Sequence, residues 1–400
     1  MKKKIPVSML IGLVMLAAVA AFNVSYIVIW NIFNERLTTL NAREAAFIKL
    51  SEIAAYVDEY YISDYDPECV LDGAAEGYIG ALPDASSFYI SEDEVQERRK
   101  AEENDLTGIG IVGCQNRRTG GICVLDMYEG STAAEFGIER FDVIIEVDGE
   151  AVTYLGYEGA MERIRGEEGT SVELMVYRER TDETLSLHVR RGAVVSERPF
   201  SHKMLSGHVG YIDVDNFDSG TDTFFLSALA ELKEKGMESL IVDVRMNPGG
   251  YMDVMTNMAD PLMGEGVVYA ERHKDDEITE VRSDEDTLGL PVVVLVDEYT
   301  SGAGEYFAAA LQSSGSAIVV GTVTAGFGYE QSRIDLSDGS AIVLSSREYY
   351  TPEGISLQET GMTPDRNVPM SVEALYALLE EDEGEDLQLQ AALTLLGEAE

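Results

Sequence analysis

Two short apolar runs constrain this chain more than any other feature: Leu240-Ile241-Val242-Asp243-Val244 and Val292-Val293-Val294-Leu295-Val296. Runs of this length are strands rather than helices, and without polar alternation they offer water no face. A sheet made of such strands must be covered on both sides, as parallel sheets flanked by helices are. The neighbouring pattern agrees. Val209 to Val214 reads as a strand, Ser219 to Lys235 as an amphipathic helix closed by Gly236, Ala303 to Gln312 as a helix and Ala317 to Val320 as a strand. Strands and helices alternate from His208 onward, so an α/β (α+β) core with a mixed, largely buried sheet is expected.

Upstream of that core the period changes. From Leu106, Gly108-Ile109-Gly110-Ile111 leads into a hairpin whose second strand is Ile122 to Met127. A short helix (Ser131 to Phe136), a strand (Val143 to Val147), a helix (Tyr157 to Arg165) and two strands (Val172 to Arg178, Thr184 to Arg190) follow. Glycines at 108 and 110 let successive backbone N–H groups turn inward and form a nest for an anion. Cys114 and Cys123 flank the hairpin turn, so they face each other. A bridge between them is open in an oxidising compartment, and a pair of reduced, half-buried strand residues fits equally well. Cys69 is left over, and no histidine clusters near any cysteine, so no zinc site is supported. From about Asn41 to Lys100 the pattern is helical, with Phe47, Leu50, Ile53, Ala54 and Val57 at helical spacing, then Val70, Ala74, Tyr78 and Leu82, separated by Asp66-Pro67.

At the N-terminus, Lys2, Lys3 and Lys4 precede an apolar run from Ile5 to Trp30, interrupted by Ser8, Asn23 and Ser25. That run exceeds the roughly 20 helical residues a bilayer core needs, and the lysines hold its start in the cytoplasm. Ala18-Val19-Ala20 resembles a signal-peptide cleavage site, but the run continues to Trp30, so an uncleaved anchor is expected. The chain is then a single-pass protein of the cell membrane with its bulk outside the cytoplasm. Its 73 acidic and 29 basic side chains give a net charge of −44. This excludes nucleic acid as a partner, since phosphate binding needs clustered Lys and Arg. It also argues against a body lying flat on anionic lipid.

Three strings in the core carry a family resemblance: Leu240-Ile241-Val242-Asp243-Val244-Arg245-Met246-Asn247-Pro248-Gly249-Gly250, Thr300-Ser301-Gly302-Ala303-Gly304-Glu305 and Thr324-Ala325-Gly326-Phe327-Gly328-Tyr329-Glu330-Gln331. They are similar to the motifs of the C-terminal processing (tail-specific) serine peptidases. The segment 105–192 resembles a PDZ domain of the bacterial protease type, with Gly108, Ile109, Gly110 and Ile111 as its carboxylate-binding loop. Within that segment, Thr132 stands where the family often has Pro, and Phe141 where it has Gly.

The resemblance implies a serine-lysine dyad held by the second and third strings, an oxyanion hole at Gly249, Gly250 and Ala303, and no metal or cofactor. In the same frame Gly302 occupies the nucleophile position and Phe327 the base position, with Gln331 as the residue that would orient the base. Ser301 is an adjacent hydroxyl, expected to cap the following helix and a weaker alternative nucleophile. No lysine follows Lys274.

The expected organisation is a cytoplasmic tip and anchor over 1–34, a helical unit over 35–104, the PDZ-like domain over 105–192, the peptidase-like core over 193–378 and an acidic tail with a terminal helix over 379–400. The expected function is capture of C-terminal peptide tails or partner proteins with impaired catalysis. The alternative is an active serine endopeptidase that processes exported proteins near their C-termini.

Overall fold

The computed structural model describes residues 22, 26, 30, 47–84, 86–96, 107–116, 118–128, 130–193, 201–370 and 386–397. The expected membrane segment lies outside these residues except for Phe22, Tyr26 and Trp30, which are helical. Among the described residues no helix is long and apolar enough to cross a membrane.

The chain divides into two compact units between Val70 and Leu71. In the first, helix α1 covers 47–60, and its apolar residues Phe47, Leu50 and Ile53 are exposed. Helix α2 (Pro67–Gly80) begins where the sequence dictates. Asp66 accepts the N–H of Glu68 at 3.0 Å, and Pro67 takes the first helical position, where a missing N–H removes no bond. The division falls inside the 35–104 stretch read from sequence as one helical unit. Strand β1 (Phe88–Ile90) lies beyond it and pairs with residues 341–343 of the second unit. Three residues are too few to show a period.

The second unit opens with a β-rich domain: β2 (Thr107–Gly108), β3 (Ile111–Gln115), β4 (Ile122–Met127), α3 (Thr132–Glu135), β5 (Val143–Val147), β6 (Glu150–Ala151), α4 (Val152–Ile164), β7 (Ser171–Arg178), β8 (Glu183–Arg190) and β9 (Gly192–Ala193). Its sheet runs β3-β4-β5-β7-β8, antiparallel throughout, and leaves β3 at an edge. Strands β2 and β9 pair where the chain enters and leaves the domain. Ile122, Val124, Ile144, Leu174 and Val176 pack against Val152, Leu155, Ala160 and Ile164 of α4. Helix α4 bends at Gly156 (φ 71). Its first turn therefore lies outside the helical period of the rest, and the sequence pattern shows only the part from Tyr157.

The remaining elements are β10 (His202–Met204), β11 (Val209–Asp213), α5 (Thr221–Glu234), β12 (Ser239–Asp243), α6 (Met252–Ala259), β13 (Gly266–Arg272), β14 (Ile278–Ser283), β15 (Val292–Val296), α7 (Ala303–Ser313), β16 (Ala317–Gly321), β17 (Tyr329–Asp335), β18 (Ala341–Tyr350), β19 (Arg366–Asn367) and α8 (Leu387–Gly397). The main sheet has the order β10-β11-β12-β15-β16-β19 and is parallel except for β10. Alternate residues of its central strands serve opposite faces, as a period of two requires. Leu240, Val242, Val292, Val294 and Val296 join Phe225, Met255, Tyr306 and Phe307 of α5, α6 and α7. Ile241, Val293 and Leu295 are covered by Leu389, Ala392 and Leu396 of α8.

Helix α8, in the stretch read from sequence as an acidic tail with a terminal helix, is therefore part of the core. Asp386, at its start, is 1% exposed and accepts from the buried Arg245 at 2.9 Å. Arg245 also pairs with Asp243, which accepts from Tyr211 Oη at 2.7 Å. A buried guanidinium is tolerable only when its charge is matched in this way.

A second, antiparallel sheet runs β1-β18-β13-β14, with β17 on β18. Sequence reasoning missed it because β14 is mostly exposed and β17 buries no residue fully, so they carry no apolar alternation to read. His273 and Lys274 lie in the turn of the β13–β14 hairpin.

Candidate active site

Strands β12, β15 and β16 are parallel neighbours, so the loops leaving their C-terminal ends emerge on one edge of the sheet. Crevices at such edges are where open α/β sheets bind ligands. The three loops are residues 244–251, 297–302 and 322–328, which hold the three strings singled out in the sequence.

Polar side chains stitch the first two loops together. Asn247 is fully buried. Its amide donates to Val214 O at 2.7 Å, its Oδ1 accepts from Gly249 N at 2.8 Å, and its backbone O accepts from Ser301 N at 2.9 Å. Asp297 Oδ1 accepts from the backbone N–H of Met246 and Tyr299 at 3.0 Å each and of Thr300 at 2.8 Å. Thr300 Oγ1 reaches Val244 O at 2.8 Å. Burial pushes the Asp297 carboxyl up to about 6, against those hydrogen bonds. Its Oδ2 has no partner among the described residues, which favours the neutral form.

Glu305, on the first turn of α7, joins the second and third loops. It is fully buried. Oε1 accepts from Thr324 Oγ1 at 2.5 Å and Gly326 N at 2.7 Å, and Oε2 accepts from Gly302 N at 3.0 Å and Phe327 N at 2.7 Å. The nucleophile and base positions of the sequence frame are thus neighbours through a single oxygen atom. Burial pushes the carboxyl up to about 7 even though four donors favour its charged form.

Gly302 itself adopts φ 48, ψ −117, a strained geometry at a sharp strand-to-helix turn. A residue with a Cβ pays steric strain there, whereas glycine does not. There is space for a side chain, since a Cβ built on Gly302 has Gly249 Cα at 3.9 Å as its only near neighbour. The position is open and bare, and Phe327 is half-buried.

Of the three expected oxyanion donors, Gly249 donates its N–H to Asn247. Gly250 and Ala303 keep N–H groups that no described residue accepts. Gly250 (φ 138) lies so close to Phe217 that an added Cβ would be 2.5 Å from Phe217 C, so only glycine fits. Ser301 does not cap α7. Gly302 is the N-cap, and no side-chain oxygen caps the helix; instead Glu305 reaches back to the Gly302 N–H. The Ser301 hydroxyl has no hydrogen-bond partner among the described residues. Gln331, expected to orient a base, donates to Ser345 Oγ on β18 at 2.9 Å. None of the four histidines reaches this edge: His188, His202 and His273 pair with glutamates, and His208 meets Gly236 O.

The β-rich domain rests on the same loops. Cys114, Cys123, Leu125 and Phe141 are buried together, with Met246 and Tyr299 packed against them. Cys114 and Cys123 are direct partners across the β3–β4 ladder, and both thiols are free. Phe141, where the resemblance expects Gly, has φ 65. That conformation suits glycine, and the phenyl ring accepts it while lying 5.9 Å from the Tyr299 ring.

At the other end of the domain, Gly108 pairs with Gly192 in the β2–β9 ladder. Gly110 has φ 77. The Ile109 carbonyl accepts from Ser131 Oγ and Ala133 N at 2.9 Å each, and the Gly110 carbonyl from Tyr128 N at 3.0 Å. Ile111 opens β3 opposite Met127. Both loop carbonyls are thus committed to the interior, while the N–H groups of Ile109 and Gly110 donate to no described residue.

Sequence reasoning assigned no role to Glu305, Asn247, Asp297 or Thr300, although all lie in or beside the quoted strings. For Glu305 a signal existed: an acidic residue three places after a helix N-cap is placed to return to the cap N–H.

A family model described as Peptidase family S41 matches residues 208–368. The chain is similar to carboxy-terminal processing protease CtpB of Bacillus subtilis (strain 168), 30% identical over 333 residues that cover 80% of this chain and 68% of that protein. It is also similar to a probable CtpA-like serine protease of Staphylococcus aureus (strain MSSA476), 27% identical over 365 residues covering 90% and 71%. Among solved structures, a photosystem II D1 C-terminal processing protease matches with a TM-score of 0.66 at 25% identity, over 84% of this chain and 91% of that one. The sheet order, the three converging loops and these relatives agree: the chain belongs to peptidase family S41, with the C-terminal processing peptidases.

Proposed function

We propose that this protein is a catalytically silent member of its family that captures C-terminal peptide tails or partner proteins on the extracytoplasmic side of a membrane. One observation carries the silence. Gly302 N and Phe327 N meet on Glu305 Oε2, so the site has backbone and a phenyl ring where attack and proton transfer need a hydroxyl and an amine. Loss of a serine nucleophile lowers turnover by on the order of a million-fold. The bound tail is assigned to the PDZ-like domain, whose edge strand β3 and inward-turned 108–111 loop suit strand addition and carboxylate capture. The apolar run at the N-terminus supports the membrane tether.

The second reading, an active endopeptidase using Ser301, has its own support: the uncommitted Ser301 hydroxyl and the free N–H groups of Gly250 and Ala303. It lacks a base, because no lysine follows Lys274 and the histidines are engaged elsewhere. Titration of free-carboxylate peptides against their amidated forms tests tail capture. Preference for the free carboxylate is expected, and equal or absent binding removes the claim.

A further inference from the structure

The free edge of β3 shows how a tail would lie on it, and what lies there already. In an antiparallel pair, residues alternate between bonding the neighbour and facing away. Val124 on β4 exchanges hydrogen bonds with the far side, donating to Asp142 O at 2.9 Å and accepting from Phe141 N at 2.6 Å. Its partner across the ladder, Gly113, therefore points its N–H and C=O away from β4. The bonds at the two ends of the hairpin agree: Tyr128 N donates to Gly110 O and Asn116 N to Gly121 O. The outward groups of β3 are those of Ile111, Gly113 and Gln115.

A tail whose carboxylate sits on the 109–110 loop, and which runs antiparallel to β3, would bond its last residue to Ile111. Two places along, its third-from-last residue would bond to Gly113. The Gly113 carbonyl is not vacant: Tyr157 of α4 donates its hydroxyl to it at 2.6 Å. Met161, one turn further on, lies 3.7 Å from where a Gly113 Cβ would be. Helix α4 is thus drawn against the strand beside which a tail must insert. At the other end, Arg165 packs its stem on Gly108, its Cγ 3.9 Å from where a Gly108 Cβ would be, while its guanidinium pairs with Glu162 at 3.0 Å.

We propose that Tyr157 is a built-in competitor for the third-from-last residue of an incoming tail. It closes the inner part of the groove until a tail displaces its hydroxyl from Gly113. This deepens the tail-capture reading and rests on it. The occupant is an extended peptide with a free carboxylate, chosen by the outward donors and acceptors of β3 and by the uncommitted N–H groups of Ile109 and Gly110.

The test uses Tyr157→Phe, which removes only the hydroxyl, in the full chain, with a fluorescein-labelled octapeptide ending in Ala-Ala-Val. The variant should bind the free-carboxylate peptide about 2–10-fold more tightly, the worth of one net hydrogen bond. The gain should vanish when the third-from-last amide is N-methylated, since that peptide cannot use the vacated carbonyl. Equal or weaker binding by the variant overturns the proposal while leaving tail capture intact. If neither protein distinguishes the free carboxylate from the amide, tail capture fails and the proposal with it. Should Tyr157→Phe not fold, tyrosine-labelled wild-type protein decides: the peptide must shift the Tyr157 ring resonance, and an unshifted resonance in the saturated complex contradicts displacement.

Discussion

The backbone N–H groups of Gly302 and Phe327 end on the same oxygen atom, Oε2 of Glu305, at 3.0 and 2.7 Å. Residues 25 apart in sequence are thereby held side by side at the mouth of the sheet. These are the two positions at which the proposed silent site carries glycine and phenylalanine in place of a hydroxyl and an amine.

If only those two groups are missing, restoring them should restore chemistry. Gly302→Ser has room for its Cβ, with 3.9 Å to Gly249 Cα, but its φ of 48 makes the single change destabilising by about 1–3 kcal/mol. The double variant Gly302→Ser, Phe327→Lys should hydrolyse an unstructured peptide at least about tenfold faster than the wild-type protein, given the million-fold scale of nucleophile loss. Denaturant melts should show the stability loss. No gain in rate would mean that the site has lost more than the dyad.

The buried carboxyls predict an unusual pH dependence. Glu305 is raised from 4.5 to about 7 and Asp297 from 3.8 to about 6, in each case chiefly by burial. Between the unfolded and folded values the native state holds a proton that the unfolded chain has released. Stability is therefore full below those unfolded values and falls as pH rises through the folded ones. For Glu305 alone the loss is up to about 3 kcal/mol between pH 4.5 and 7. Urea midpoints should decline from pH 5 to 7.5. Glu305→Gln should flatten that slope. It should also be less stable at every pH, because an amide NH₂ would face backbone donors that now reach an oxygen.

The position of α8 makes a separate prediction. Asp386 meets the buried Arg245 at 2.9 Å and accepts the N–H of Leu389 at 2.9 Å. Asp386→Ala leaves part of a buried charge unmatched and uncaps the helix, so it should destabilise the second unit by about 3–5 kcal/mol. Replacement of Thr394 by Ala, exposed on the same helix, should shift the melt very little. Thermal denaturation of the two variants distinguishes a structural helix from a dispensable tail.

Much of this was legible in the sequence. Runs such as Val292–Val296 admit one environment, buried on both faces, and they announced the parallel sheet. Glycines at 249, 250 and 302 marked the tight turns at its edge. Strands β14 and β17, with almost no buried residue, were illegible because nothing in them alternates. Asp386 drew no notice in its acidic stretch, because its partner, Arg245, comes from a distant strand end. The role of Glu305 was hidden for the same reason: three of its four donors come from a loop that only the fold brings near.

The silent-site account is tested most directly by a fluorophosphonate probe read by intact-protein mass spectrometry. The wild-type protein should carry no adduct under conditions that label the Gly302→Ser, Phe327→Lys variant. An adduct on the wild-type protein that disappears in Ser301→Ala would contradict the account.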